Sequence, residues 1–156
     1  MIKRIYIDTS VFGGYFDKEF EKDTKPFFEK LIEAEIKVLV SEILELEIYR
    51  APVFIQDFFE SLPEKLIERI ELTDEIRDLA DTYIAEKVVG KSSRADCQHI
   101  AFATVCKADV LVSWNFKHLV NLEKIRGYNS INFRMGYQMT EIRTPKEIFN
   151  YEDTKD

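Results

Sequence analysis

Four residues of this chain are of types, and at places, that could do hydrolytic chemistry: Asp8, Glu47, Asp96 and Asn115. Asp8 ends the apolar run Ile5-Tyr6-Ile7 and is followed by two hydroxyls, Thr9 and Ser10. If that run is a buried strand, Asp8 lies at its carboxyl end, the edge where open α/β sheets bind ligands. The competing role is a helix N-cap, which Asp, Thr and Ser all fill well. Glu47 is more telling. In the helix that Ser41 would cap, Glu42 and Glu45 face solvent, whereas Glu47 lies three and four residues beyond Leu44 and Ile43 and shares their apolar face. An inward carboxylate must be paired, protonated or bound to a cation, and the structural alternative is a salt bridge to a buried arginine. Asp96 falls in the first turn of a helix, where the dipole favours an acid, although Ser92 and Ser93 already offer caps. Asn115, just beyond a strand, brings a carbonyl oxygen that accepts from water, coordinates a hard cation or forms a turn.

Three carboxylates and an amide at the ends of adjacent elements suit Mg²⁺ or Mn²⁺, bound directly or through retained water. The chemistry that follows is phosphodiester hydrolysis: the metal polarises the phosphoryl oxygen, activates a water and steadies the leaving oxygen. No His or Cys nucleophile is needed, and His99 and His118 read as isolated. Cys97 and Cys106, nine apart and without a CxxC pair, read as reduced core thiols.

The elements that must position these acids alternate. Arg4 to Asp8 reads as strand, Thr24 to Glu35 as helix, Ile36 to Val40 as strand, and Ser41 to Arg50 as a capped helix that Pro52 breaks. A helix carrying Phe54, Ile55, Phe58, Phe59 and Leu62 runs up to Pro63. Leu66 to Leu72 reads as strand, and Thr73 or Asp74 caps a helix with the stripe Ile76, Leu79, Ala80, Tyr83 and Ile84, ended by Gly90. Beyond the polar hinge at residues 91–94, Ala95 to Lys107 reads as a small-residue helix able to lie close on a sheet. Asp109 to Ser113 reads as a buried strand, Ile131-Asn132-Phe133 as an edge strand, and Pro145 to Phe149 as a short helix. Such alternation predicts an α/β fold, a mostly parallel sheet with helices on both faces.

At 156 residues the chain is read as a single domain over residues 1–150 with a polar tail over 151–156. Its 46% hydrophobic and 33% charged residues are the balance of a globular protein, not of a disordered chain. No apolar stretch is long enough to span a bilayer, so the expected location is the cytoplasm. Net charge is −7, from 29 acids against 22 bases, whereas proteins that neutralise phosphates usually carry a basic stripe. The positive charge here is local, with Lys91 and Arg94 before Asp96 and Lys117 after Asn115, a basic rim suited to transient nucleic-acid contact.

The chain resembles the PIN domain, in particular the single-domain PIN ribonucleases that act as VapC-type toxins of toxin–antitoxin pairs. The matching segments are Tyr6-Ile7-Asp8-Thr9-Ser10-Val11, Val40-Ser41 with Glu47-Ile48, Asp96 with Ile100-Ala101 and Ala103-Thr104, and Leu111-Val112-Ser113-Trp114-Asn115. Each is a lone acid or amide in an apolar setting; their order and spacing carry the likeness over most of the chain. The resemblance implies a three-layer α/β/α sandwich around a parallel sheet of about five strands. It implies that Asp8, Glu47 and Asp96 are the catalytic acids that bind Mg²⁺ or Mn²⁺, supported by Thr9, Ser10, Ser113 and Asn115; the local charge, not the resemblance, puts Lys91, Arg94 and Lys117 on the RNA side. It also implies an RNA substrate, a small antitoxin protein and a homodimer. The family's usual fourth acid is Asn115 here, which removes one negative charge and weakens a second metal. A catalytically silent PIN-fold module that binds RNA or protein is therefore the alternative. A haloacid-dehalogenase-type phosphatase would need an Asp where Ser10 stands, and the acids and late Lys of a response-regulator receiver cannot be assigned.

Overall fold

The computed structural model of the chain describes residues 1–90 and 93–149. Lys91, Ser92 and residues 150–156, which include the expected polar tail, lie outside the described residues. Among the described residues five strands, β1 (Arg4–Ile7), β2 (Lys37–Ser41), β3 (Ile67–Ile70), β4 (Val110–Val112) and β5 (Ile142–Arg143), form one sheet in the order β3-β2-β1-β4-β5. Every pairing in it is parallel. Eight helices among the described residues cover its faces: α1 (Thr9–Gly14), α2 (Glu21–Glu33), α3 (Glu42–Tyr49), α4 (Val53–Ser61), α5 (Asp74–Ala85), α6 (Arg94–Val105), α7 (Leu122–Arg134) and α8 (Pro145–Phe149). The expected three-layer α/β/α sandwich is what the chain adopts.

Strand alternation divides the apolar residues between two cores. Ile5, Ile7, Val38, Val40, Val110 and Val112 point to one face, where they pack with Phe12, Phe27, Phe28 and Leu31. Tyr6, Leu39 and Leu111 point to the other and meet Leu79, Tyr83, Ile100 and Ala101 of α5 and α6. Register aligns Tyr6 with Leu39 on one side and Leu111 on the other. Two residues further on, the same face carries Ser41, Asp8 and Ser113 side by side, so one row of the sheet passes from apolar core to polar rim.

The first core is built on aromatic contacts. Phe12 lies 5.4 Å from both Phe28 and Phe59, and Tyr15 stacks on Phe58 at 4.0 Å. Gly14 is required by this packing, because a Cβ there would sit 2.8 Å from the Trp114 ring. Phe12 is fully buried, whereas Phe16 and Phe54, in edge-to-face contact, keep about half their surface.

Two elements differ from the sequence reading. Ile131-Asn132-Phe133 is not an edge strand but the last turn of α7, capped at its start by the Asn121 side chain on Lys124 N. The buried face of α7 includes Asn129 and Asn132, whose amides bond Thr140, Thr104 and each other. Those polar residues hide the helical period, and the fifth strand is the two-residue Ile142–Arg143 instead. The helix before the hinge ends at Ala85, not at Gly90. There Lys87 takes a left-handed φ of 62° while Val88 N bonds Tyr83 O, a glycine-type helix end made without glycine. Glu35 and Lys107 close α2 and α6 in the same way.

Candidate active site

Asp8 stands one residue beyond β1, the central strand, at the N-cap position of α1, yet its side chain makes no cap bond. Its Oδ2 accepts instead from Ser10 Oγ at 2.7 Å and from Ser113 Oγ at 2.8 Å. Ser10 Oγ in turn accepts from Trp114 N, and Ser113 Oγ from Asn115 N. One carboxylate oxygen is thus clamped by two hydroxyls, one from its own turn and one from the neighbouring strand. Oδ1 takes no hydrogen bond among the described residues and faces His99 Nε2 at 3.7 Å.

Glu47 is on the inner face of α3, as its spacing predicts, but no arginine among the described residues meets it. Its Oε1 accepts from the Thr9 hydroxyl and from His99 Nε2, the latter at 2.8 Å. Burial pushes the Glu47 carboxyl up, and the hydrogen bond and charge of His99, with the Thr9 hydroxyl, outweigh it and hold the group below the ordinary glutamate range. His99 itself is 1% exposed. Burial disfavours its charged form, but the Glu47 bond and the charges of Asp8, Glu47 and Asp96 prevail and hold the imidazole above the ordinary histidine range.

The His99 ring is held from behind by a chain of hydroxyls. Nδ1 lies 2.6 Å from the Tyr6 hydroxyl, and that hydroxyl lies 2.6 Å from Ser41 Oγ. Ser41 Oγ accepts from Leu44 N and so caps α3, the helix that carries Glu47. Because Tyr6 has a second partner, it can give or take a proton at Nδ1.

Asp96 occupies the first turn of α6 and is half-buried. Burial, then the charge of Asp8, pushes its carboxyl above the ordinary range; His99 and His118 oppose that only in part. Asn115 Nδ2 reaches Asp96 Oδ1 at 3.4 Å. Asn115 Oδ1 is taken by the backbone N–H groups of Lys117 and His118, at 3.1 and 3.0 Å. Those two donors fix which end of the amide is oxygen, so Asn115 offers the site a donor and not an acceptor.

The structure brings Asp8, Thr9, Ser10, Glu47, Asp96, Ser113 and Asn115 to one edge of the sheet. It also brings His99, which reads as isolated in the sequence. Asp8, Glu47 and His99 each present a ligand atom within 4.8 Å of the others. The available signal is position: His99 follows Asp96 by three, so the two share a helical face, and it adjoins the apolar Ile100. The inward-face argument that singles out Glu47 applies equally to His99. Of the basic residues, Arg94 is paired with Asp81 at 2.6 Å, and Lys117 is exposed beyond Asn115.

No Lys or Arg is bonded to any of the three acids among the described residues, and the donor set of carboxylates with an imidazole fits a divalent cation. No helix among the described residues is long and apolar enough to cross a membrane. No protein-family model matches the sequence, and no curated protein matches it. In three dimensions the chain is similar to a chain of the crystal structure of VapBC2 from Rickettsia felis bound to a DNA fragment from their promoter. The likeness has a TM-score of 0.57 at 14% identity and covers 90% of this chain and 98% of that chain. The fold is the PIN fold.

Proposed function

We propose that the protein is a metal-dependent ribonuclease, the toxin of a type II toxin–antitoxin pair, cleaving RNA phosphodiester bonds with an activated water. The observation that carries this reading is the convergence of Asp8 and Glu47 on His99 at the carboxyl edge of the sheet, close enough to Asp96 for the charge of Asp8 to act on it, without a Lys or Arg bonded to these acids among the described residues. Buried acids are normally matched one to one, and a set in which one histidine answers Glu47 while Asp96 is pushed up marks a site that a cation completes.

Asp8 and Glu47, with Asp96 directly or through water, would hold Mg²⁺ or Mn²⁺, which supplies a polarised phosphoryl oxygen and a more acidic water. The chain's own side chains do the positioning. Ser10 and Ser113 fix one oxygen of Asp8 and leave the other toward the site. Thr9 and His99 hold Glu47, and the Asn115 amide faces Asp96. A carboxylate of this group takes the proton of the attacking water. Lys117, exposed just beyond Asn115, would meet the RNA backbone, as would Arg94 if it exchanged its Asp81 partner, and the sequence assigns Lys91 to the same role.

The fold shared with a chain of VapBC2 supports an antitoxin as partner, and the sequence resemblance alone suggests a homodimer as the working form. Phe16 and Phe54, both exposed and packed edge to face, offer that antitoxin an apolar surface. The second reading, a silent PIN-fold module that binds RNA or protein, is favoured by Asn115, whose oxygen is committed to the backbone.

The test is cleavage of a structured RNA in Mg²⁺ or Mn²⁺ by the wild type, Asp8→Asn and Asp96→Asn. Metal-stimulated cleavage that both substitutions abolish is the expected result. RNA binding without cleavage in either metal would establish the silent module instead.

A further inference from the structure

We propose that His99 is itself a ligand of the metal, so that the site holds one nitrogen donor beside its carboxylates and prefers Mn²⁺ to Mg²⁺; this rests on the metal-dependent reading above. His99 Nε2 stands 2.8 Å from Glu47 Oε1 and 3.7 Å from Asp8 Oδ1. Adjacent donors at roughly 2.1 Å from an octahedral ion are about 3 Å apart. The two separations from His99 Nε2 bracket that value, and all three ligand atoms lie within 4.8 Å of one another, so the imidazole nitrogen is spaced as a neighbour of each carboxylate on one ion.

The surroundings of the ring fit a ligand. Metal-binding histidines donate the N–H of their other nitrogen to a fixed partner, which sets tautomer and orientation. Here that partner is the Tyr6 hydroxyl, 2.6 Å from Nδ1, itself anchored by Ser41. When Nε2 binds the ion, the ring's proton is on Nδ1 and is donated to the Tyr6 oxygen, and the Tyr6 proton is donated to Ser41. The same Ser41 starts the helix of Glu47, so one hydroxyl chain fixes two ligands relative to each other.

The consequence is selectivity. Mg²⁺ dehydrates reluctantly and keeps water in preference to nitrogen, whereas first-row transition ions accept imidazole. Asn115 does not supply the missing donor, because its oxygen is occupied by two backbone N–H groups. His99 supplies one in its place, of a different chemical kind.

The experiment is pulsed electron paramagnetic resonance on the Mn²⁺-loaded wild type, with calorimetric titration of Mn²⁺ and of Mg²⁺ into the wild type and His99→Asn. A ¹⁴N coupling from a directly bound imidazole is expected, and it disappears in the variant. Mn²⁺ affinity falls about tenfold or more, while Mg²⁺ affinity changes much less. A wild-type Mn²⁺ spectrum without nitrogen coupling overturns the proposal, and that spectrum decides even if the variant fails to fold. Equal weakening of both ions also overturns it and leaves His99 as a positioning residue for Glu47. Binding of neither ion by the wild type removes the metal-dependent reading as well, an outcome distinct from the other two.

Discussion

The two ends of the sheet carry similar charges in opposite arrangements. At the amino end the acids are matched. Arg4 takes both oxygens of Glu68, at 3.1 and 2.8 Å, and bonds the carbonyls of Cys106 and Lys107. Asp109 accepts from the backbone N–H groups of Lys3 and Arg4. The Arg4 hydrogen bond holds the Glu68 carboxyl below its ordinary range. For Asp109, burial acts upward, but the two backbone bonds and the charge of Arg4 prevail and hold it low as well. At the carboxyl end Asp8 and Glu47 share His99, and burial, then the charge of Asp8, pushes the Asp96 carboxyl up. One end matches each acid to its own donors; the other leaves one histidine to answer more than one carboxylate. That contrast is the ground on which the acids of the carboxyl end are proposed to be functional.

The largest effect should come from filling the carboxyl end. With Mn²⁺ at about a hundredfold above its dissociation constant, the wild type should gain ~2.7 kcal/mol against unfolding, measured by urea denaturation with and without the ion. Asp8→Asn should gain almost nothing. If the variant gains as much as the wild type, Asp8 is not a ligand.

Breaking the amino end should destabilise the protein in every condition. Arg4→Ala removes a two-point carboxylate pair and two carbonyl contacts, part of it in solvent, for a loss of about 1–2 kcal/mol. Chemical denaturation should show that loss equally with and without Mn²⁺. A loss that the metal repairs would mean that the two ends are coupled.

The pH dependence should differ in sign. Glu68 and Asp109 have lowered values, so their contribution is present above the unfolded carboxylate range and is lost as pH falls through their folded values. Asp96 has a raised value, so its ionisation penalty is absent below the unfolded range and grows as pH rises through the folded value. In metal-free protein, Asp109→Asn should therefore flatten the acid limb of a plot of melting temperature against pH. Asp96→Asn should raise the melting temperature at neutral pH and leave it nearly unchanged in acid. Identical profiles for the two variants would erase the distinction between the ends.

The smallest change expected is from Asn115→Asp. One oxygen keeps the bonds to Lys117 N and His118 N, and the other then faces Asp96. Metal affinity by calorimetry should tighten a few-fold, by about 0.5–1 kcal/mol, and the metal-free melting temperature should fall slightly. Unchanged affinity would place position 115 outside the metal's reach.

Much of the fold and of the site is legible in the linear chain. The strand ending at Asp8, the Ser41 cap with its inward Glu47, and the small-residue helix of Asp96 depend on local periodicity and capping, which neighbouring residues state directly. Ile131 to Phe133 escapes that logic because Asn129 and Asn132 bond one another and their neighbours inside the core, which interrupts the apolar period that marks a helix. The two residues of Ile142–Arg143 are too short to signal a strand, and only the free edge of β4 makes them one.

The sequence by itself determined which acids could gather, because each lies at the end of an element whose type its neighbours fix. Only the tertiary structure decided which atoms they offer. Parallel register placed Ser113 beside Asp8 across 105 positions, and the packing of α6 on β1 set His99 between Tyr6 and Glu47. Those relations are long-range hydrogen bonds, which depend on how the elements stack and leave no mark in the spacing of any one of them.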